Sequence, residues 1–254
     1  MKTQTRLITT LLLLPFFVIA GAQEIAPKAD DVLRVMCYNV KHCRGMDNVI
    51  DYQRVADVIN NMAPDVVALQ ELDSVTGRSN HANTIMELAG RTGMFAVFGG
   101  AIDYDGGRYG IGVLSKEKPL SYQVFPLPGQ GEERALLVVE YEDHYIASTH
   151  FALRDSDRMA SIPLIFEAVE HISKPLILGG DMNCGYDSAP QKLLYERFTM
   201  LSDTLPVGGR RRVIDFVYGY NNGNTYNVTQ KMIQEERMAS DHFPLFVDIQ
   251  INKE

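Results

Sequence analysis

The chain has 254 residues, 46 % of them hydrophobic, with 24 basic and 32 acidic side chains and a formal net charge of −8. Such a length and apolar share suit one large globular domain. The acidic balance argues against tight binding of polyanions by long-range attraction, though it leaves them admissible as substrates of a cation-bearing site.

Lys2 and Arg6 precede an apolar stretch at residues 11–20 and the small residues Ala20, Gly21 and Ala22 before Gln23, the pattern of a cleaved export signal. The stretch is about half the roughly 20 residues a membrane helix needs, and no cysteine follows to take a lipid. The expectation is cleavage after Ala22 and a secreted or periplasmic protein, with an uncleaved anchor as the alternative. Residues 23–254 would then form a single domain with 22 basic and 32 acidic residues, net −10.

Past this segment, short apolar runs alternate with amphipathic stretches. Residues 33–39 read as a strand. Residues 51–62 place Val55, Val58 and Ile59 on one stripe and stop before Pro64, which predicts a helix. An apolar strand at 66–70 follows, so a β-α-β unit opens the domain. Asn83 is placed to cap a second helix over 84–92, with Ile85, Leu88 and Ala89 on one face. Runs at 111–115, 120–125, 135–141 and 145–151, separated by turn signals, predict antiparallel strands. Ser161 as a cap and Pro163 in the first turn predict a helix over 161–171. A strand at 175–180, a helix at 189–197 and strands at 214–217, 225–228 and 244–251 complete the chain. These elements point to two mixed sheets packed face to face with helices outside.

The three cysteines, Cys37, Cys43 and Cys184, cannot make a complete disulfide framework and lack zinc-site spacing. Cys37 reads as a core residue; a Cys37–Cys43 or Cys43–Cys184 bridge stays open.

Polar residues stand at the ends of the apolar runs. Asn39 ends VMCYN, Glu71 follows VVALQ, Asp181 and Asn183 follow LILGG, and Asp241 and His242 precede FPLFVDI. Desolvating a carboxylate is unfavourable unless a cation or a donor meets it, so these groups imply one shared pocket at the sheet edge. A hard divalent cation is its simplest occupant. Glu71 is expected at a strand tip, because a strand buried on both faces has no room for it. Asp181 and Asn183 would face one way in extended chain, and the glycines before them permit close approach of an anion. A simple turn is the other reading of that pair. Asp215 lies among Val213, Ile214, Phe216 and Val217 and needs a partner; His242 supplies one whose tautomer the carboxylate would fix. His150 ends the run YIAST, and His42, near Asn39, is a further candidate.

Taken in order, VMCYNVKH, PDVVALQELD, GGRYGIGVLSK, ASTHF, PLILGGDMNC, RVIDFVYG and ASDHFPLFV resemble the endonuclease/exonuclease/phosphatase superfamily, also called the deoxyribonuclease I-like family. The resemblance runs from about Arg34 to the end of the chain. It implies a four-layer α/β/β/α sandwich and cleavage of phosphate esters with Mg²⁺ or Mn²⁺, Ca²⁺ being a further hard cation of that kind. It implies Glu71 as a metal ligand, with Asn39 and Asp241 beside it. Asp181 and Asn183 match the pair that handles nucleophile and phosphate oxygens, His242 with Asp215 the catalytic dyad, and His150 the second histidine. Arg134, in EERALLVVE, and Tyr109, in the GGRYG loop, match substrate contacts, and His42 is taken with them.

One departure narrows the reading. Abasic-site endonucleases of this family carry Asp where this chain has Lys41, and they use tryptophan near the site, where this chain has none. The expectation is an exported, monomeric hydrolase of phosphate mono- or diesters, with sugar, inositol or lipid phosphates ahead of nucleic acid. A secreted nuclease is the alternative within enzymes, and a catalytically inactive binding protein the alternative from another class.

Overall fold

The computed structural model describes residues 25–252; the export segment read at 1–22 lies outside them. In β1 (Leu33–Asn39) successive side chains take opposite faces. Val35 and Cys37 pack with Val66, Val113 and Val247, whereas Met36 and Tyr38 pack with Val55 and Ile59 of α1 (Tyr52–Met62). The strand is apolar on both faces because each face meets a different layer. Asp51 caps α1 by accepting from the Arg54 amide at 2.9 Å, and Ala63 ends it in the left-handed region at φ 48°.

β2 (Val66–Ser74) runs parallel to β1, and α2 (Thr84–Thr92) covers the same face as α1. A hairpin of β3 (Phe95–Tyr104) and β4 (Gly107–Ser115) pairs with β2, and β11 (Thr225–Ile233) with β12 (Leu245–Asn252) pairs with β1. The order is β11-β12-β1-β2-β4-β3. The second sheet holds β5 (Ser121–Leu127), β6 (Arg134–Glu140), β7 (Tyr145–His150), β8 (Leu176–Asp181), β9 (Phe198–Met200) and β10 (Asp215–Tyr220). Its order is β5-β6-β7-β8-β10-β9. Here β7 and β8 are the parallel pair, joined by α3 (Asp155–Val169), as β1 and β2 are joined by α1. Ile162 and Ile165 of α3 and Leu194 of α4 (Ala189–Leu194) bury the outer face of this sheet. The result is the four-layer sandwich expected from the sequence.

The two sheets approach closely at their central strands. A Cβ on Gly179 of β8 would lie 2.7 Å from the Ala68 Cβ of β2 and 3.7 Å from Cys37 Sγ. The glycine therefore serves contact between sheets, not approach to an anion.

The structure differs from the sequence reading in several elements. The glycine-rich stretch before Tyr109 reads as a loop, but Asp105 (φ 47°) and Gly106 (φ 78°) make a tight turn and the chain pairs from Phe95 with Ser115 to Tyr104 with Gly107. Tyr109 thus lies in β4 and not in a loop. Helix α3 begins at Asp155 instead of Ser161; Asp155 and Asp157 suit the positive end of its dipole. Pro163 stands inside the helix, and the Ser161 hydroxyl donates back to the Asp157 carbonyl at 2.8 Å instead of capping. Helix α4 stops at Leu194, β9 was not foreseen, and β11 runs on to Ile233. Cys37, Cys43 and Cys184 are all free and buried, so neither bridge forms. No described helix is long and apolar enough to cross a membrane.

Candidate active site

Sheet register gathers the polar residues. His150 at the end of β7 and Asp215 at the start of β10 are both direct partners of Asp181 at the end of β8. Asn39 ends β1 in the facing sheet and donates its amide to Glu71 Oε1 at 2.9 Å and to Asp181 Oδ2 at 3.1 Å. Asp241 and His242 arrive on the loop before β12. His242 Nδ1 lies 2.9 and 3.1 Å from the two Asp215 oxygens, and its Nε2 is 3.6 Å from Asp181 Oδ2. His150 Nε2 is 3.5 Å from the same oxygen. Asp181 Oδ2 is the point on which an asparagine and two imidazoles converge.

Burial sets the charges. Desolvation, with help from Asp215, raises the Asp181 carboxyl above its ordinary range. Desolvation likewise raises Glu71, against the Asn39 hydrogen bond. Burial also works against a charge on His242, but the carboxylates of Asp215, Asp181 and Asp241 outweigh it and push its pKa up to about 10. His150, buried and next to Arg134, is lowered to about 4 despite Asp181. Arg134 Nη1 lies 3.3 Å from His150 Nδ1. A guanidinium can only donate, so Nδ1 accepts and the neutral ring carries its proton on Nε2, toward Asp181. Arg134 also bonds Tyr109, whose phenol burial and the Glu71 charge raise. Burial opposes the charge on Asp241 as well, yet the Lys41 ammonium at 2.9 Å keeps that carboxyl below its usual range.

Several side chains take positions other than those expected. Glu71 is not at a strand tip. It sits within β2 at a bulge, where pairing with β4 jumps between Leu69 and Leu72, and its φ is 58°. A bulge re-aims one side chain without ending the strand, which lets an acid leave an otherwise apolar run. Asn183 lies beyond β8 in a turn at φ 50°; its amide donates to the Phe151 carbonyl at 2.8 Å and its backbone N–H to Asp181 Oδ1 at 2.9 Å. It fixes Asp181 instead of pointing alongside it. His42 is not drawn into the cluster. Its ring is buried, the charges acting on it include Arg78 and Asp73, and its Nδ1 has no hydrogen-bond partner. Ser240 escaped notice: its hydroxyl donates to the Asn39 carbonyl at 2.7 Å and accepts from the His242 N–H at 3.2 Å, pinning the loop to β1. Its only signal was its place before Asp241 and His242.

The donors fit a hard cation. Glu71 and Asp241 offer carboxylate oxygen and Asn39 its amide Oδ1, which also accepts from the Lys41 N–H at 3.1 Å. Burial raises the acids Glu71 and Asp181 in spite of the nearby His242 charge. The compact trio among the described residues is Asp181, Asp215 and His242, with ligand atoms within 4.8 Å of one another. There His242 Nδ1 is already engaged by Asp215, so that trio is better described as a hydrogen-bonded relay.

The sequence pattern of the Endonuclease/Exonuclease/phosphatase family matches residues 36–242. A search of curated protein sequences gives no match. Among solved structures, an endonuclease/exonuclease/phosphatase from Beutenbergia cavernae superposes with a TM-score of 0.74 at 21% identity, covering 87% of this chain and 72% of that one. One from Bacteroides vulgatus gives 0.72 at 16% identity, covering 87% and 99%. A Bacteroides thetaiotaomicron mannosyl-6-phosphatase gives 0.68 at 16% identity, covering 85% and 99%. At such identities the superpositions speak for the fold, and the pattern speaks for descent: the chain belongs to the endonuclease/exonuclease/phosphatase family.

Proposed function

We propose that the protein is an exported, monomeric phosphoesterase dependent on a divalent cation, hydrolysing phosphate mono- or diesters, with sugar, inositol or lipid phosphates ahead of nucleic acid. The observation that carries this reading is the convergence of Asn39, His150 and His242 on Asp181 Oδ2. A buried carboxylate of raised basicity facing two imidazoles is equipped to move a proton beside a phosphoryl group.

Glu71, with Asn39 and Asp241, would hold Mg²⁺ or Mn²⁺; such a cation supplies positive charge against the non-bridging phosphate oxygens. The remaining work falls to the chain. Asp181 accepts the proton of the attacking water. His242, kept protonated by Asp215, directs its Nε2–H at an oxygen that gains charge. Neutral His150 donates its Nε2–H to a phosphoryl oxygen or to the leaving oxygen. Asn183 and Asn39 hold Asp181 in place from opposite sides.

The acidic balance, the lack of tryptophan and Lys41 weigh against DNA repair chemistry. A fold neighbour named as a mannosyl-6-phosphatase brings sugar phosphates within the range of this architecture. Export rests on the pattern of residues 1–22.

Purified protein should hydrolyse bis-(p-nitrophenyl) phosphate or p-nitrophenyl phosphate with Mg²⁺ or Mn²⁺ and stop in EDTA. Glu71→Ala and His242→Ala should each lose about 10²–10³ in rate. Wild-type rates in either variant would remove the assignment. Plasmid nicking beside a panel of sugar, inositol and lipid phosphates decides the substrate class. The N-terminus of protein recovered from periplasm or medium should be Gln23.

A further inference from the structure

The segment before β10 carries Arg210, Arg211 and Arg212 in succession, on a chain of net charge −8. Arg210 is engaged: its guanidinium lies 4.1 Å from the Phe243 ring centroid and donates to the Asp241 carbonyl. The next two are not. Arg211 and Arg212 are exposed, and among the described residues neither has a carboxylate, carbonyl or ring partner for its side chain. Arg34, Arg54, Arg78 and Arg158, by contrast, each hold a carboxylate of the fold.

Two clefts meet at this pair. One, of about 420 Å³, has apolar walls that include Val207, Ile214 and Phe243 and reaches Asp215. The other, of about 690 Å³, reaches Asn183. Arg211 and Arg212 line both. Two permanently charged, forked donors therefore line clefts that reach Asp215 and Asn183, the direct neighbours of Asp181, and neither is paired with a carboxylate among the described residues.

We propose that Arg211 and Arg212 form a second anion site that holds a non-scissile phosphate, so that the preferred substrate is a small bisphosphorylated molecule. This rests on the phosphoesterase reading and specifies its substrate class. The Asp181 cluster takes the scissile phosphate; the arginine forks match a second one bidentately. The carbon skeleton between them lies against the apolar wall of the smaller cleft. Two unpaired arginines on an acidic chain suit one extra phosphate, whereas a nucleic acid strand calls for a longer basic track.

The test separates binding from turnover. Calorimetry on the slowed His242→Ala protein compares a graded series of alkanediol bisphosphates with the matched alkyl monophosphates. The bisphosphates of favoured length should bind at least about tenfold more tightly than their monophosphates. Adding Arg211→Ala and Arg212→Ala should bring that ratio below about threefold, and the double lysine variant should restore part of it by charge alone. Equal affinities in the parent protein, or an unchanged ratio in the double alanine variant, would overturn the site. Turnover of the same esters by the wild-type protein with Mg²⁺ or Mn²⁺ is scored separately. Its absence removes the phosphoesterase reading, while the binding ratio still decides the arginines.

Discussion

Asn39 and Asp181 end strands in different sheets, and the Asn39 amide nitrogen donates to the Asp181 carboxylate across 3.1 Å. The site is therefore only as well formed as the packing between the sheets. That packing is tight at Gly179, where a Cβ would fall 2.7 Å from the Ala68 Cβ. Gly179→Ala should push the central strands apart, destabilising the protein by about 1–3 kcal/mol and lowering kcat by parting Asn39 from Asp181. Adding Ala68→Gly removes the opposing carbon and should recover most of both losses. Urea unfolding and kcat for the two single variants and the double variant check this; strictly additive effects would show that the contact is not shared.

Asp215 and His242 act as a unit in the second prediction. Asp215→Asn keeps the hydrogen-bonding shape but removes the charge that does most to hold His242 protonated. The rate should fall by about 10²–10³ with little change in KM, since the charge matters where negative charge develops. The pH profile distinguishes this from a general loss of structure. A group that works protonated fails as pH rises through its pKa, which is about 10 in the wild-type protein. Lowering that pKa should bring the alkaline fall of kcat/KM to lower pH.

This pairing was legible in the sequence because it follows from chemistry alone: an acid among four apolar residues must find a donor. The strand-end positions of Asn39, His150 and Asp181 were legible for the same reason, and the layers followed from apolar runs alternating with helical stripes. Glu71 was legible as a residue but not as a geometry, because its bulge depends on which β4 residues it faces. Asn183 obeyed its turn preference instead of strand alternation. The GGRYG stretch reads as loop, yet its residues form the turn and the start of β4, where they pair with β3. Ser240 and the Lys41–Asp241 pair depend on contacts between segments 200 residues apart, which no local pattern encodes.

His150 sets a pH dependence of stability. In the folded protein burial keeps its ring neutral down to about pH 4, whereas an imidazole in the unfolded chain takes its proton near 6.5. Between those values the unfolded chain holds more protons, so acidification through that window favours unfolding. The loss is complete below the folded pKa and amounts to about 3 kcal/mol for this group. His150→Gln should flatten the fall in urea midpoint between pH 7 and pH 4 in EDTA-treated protein. A residual slope is expected from His42, which is also lowered to about 4. An unchanged slope in the variant would mean that His150 is not buried neutral.

Lys41 bears on cation affinity. Its ammonium sits 2.9 Å from Asp241 Oδ2, both groups being partly exposed. If Asp241 helps to hold the cation, Lys41 competes for the same carboxylate and adds repulsion. Screening at a partly exposed position limits that repulsion to about 1 kcal/mol. Lys41→Ala should therefore bind Mn²⁺ about three- to tenfold more tightly by calorimetry and reach half-maximal rate at lower Mg²⁺. The KM of the ester supplies the contrast. Unchanged Mn²⁺ binding with a raised KM would assign Lys41 to the substrate phosphate and take Asp241 out of the ligand set. Tighter Mn²⁺ binding with KM unchanged would keep it in if Asp241→Asn removes the gain, because simple repulsion between the lysine and the ion would persist without the carboxylate.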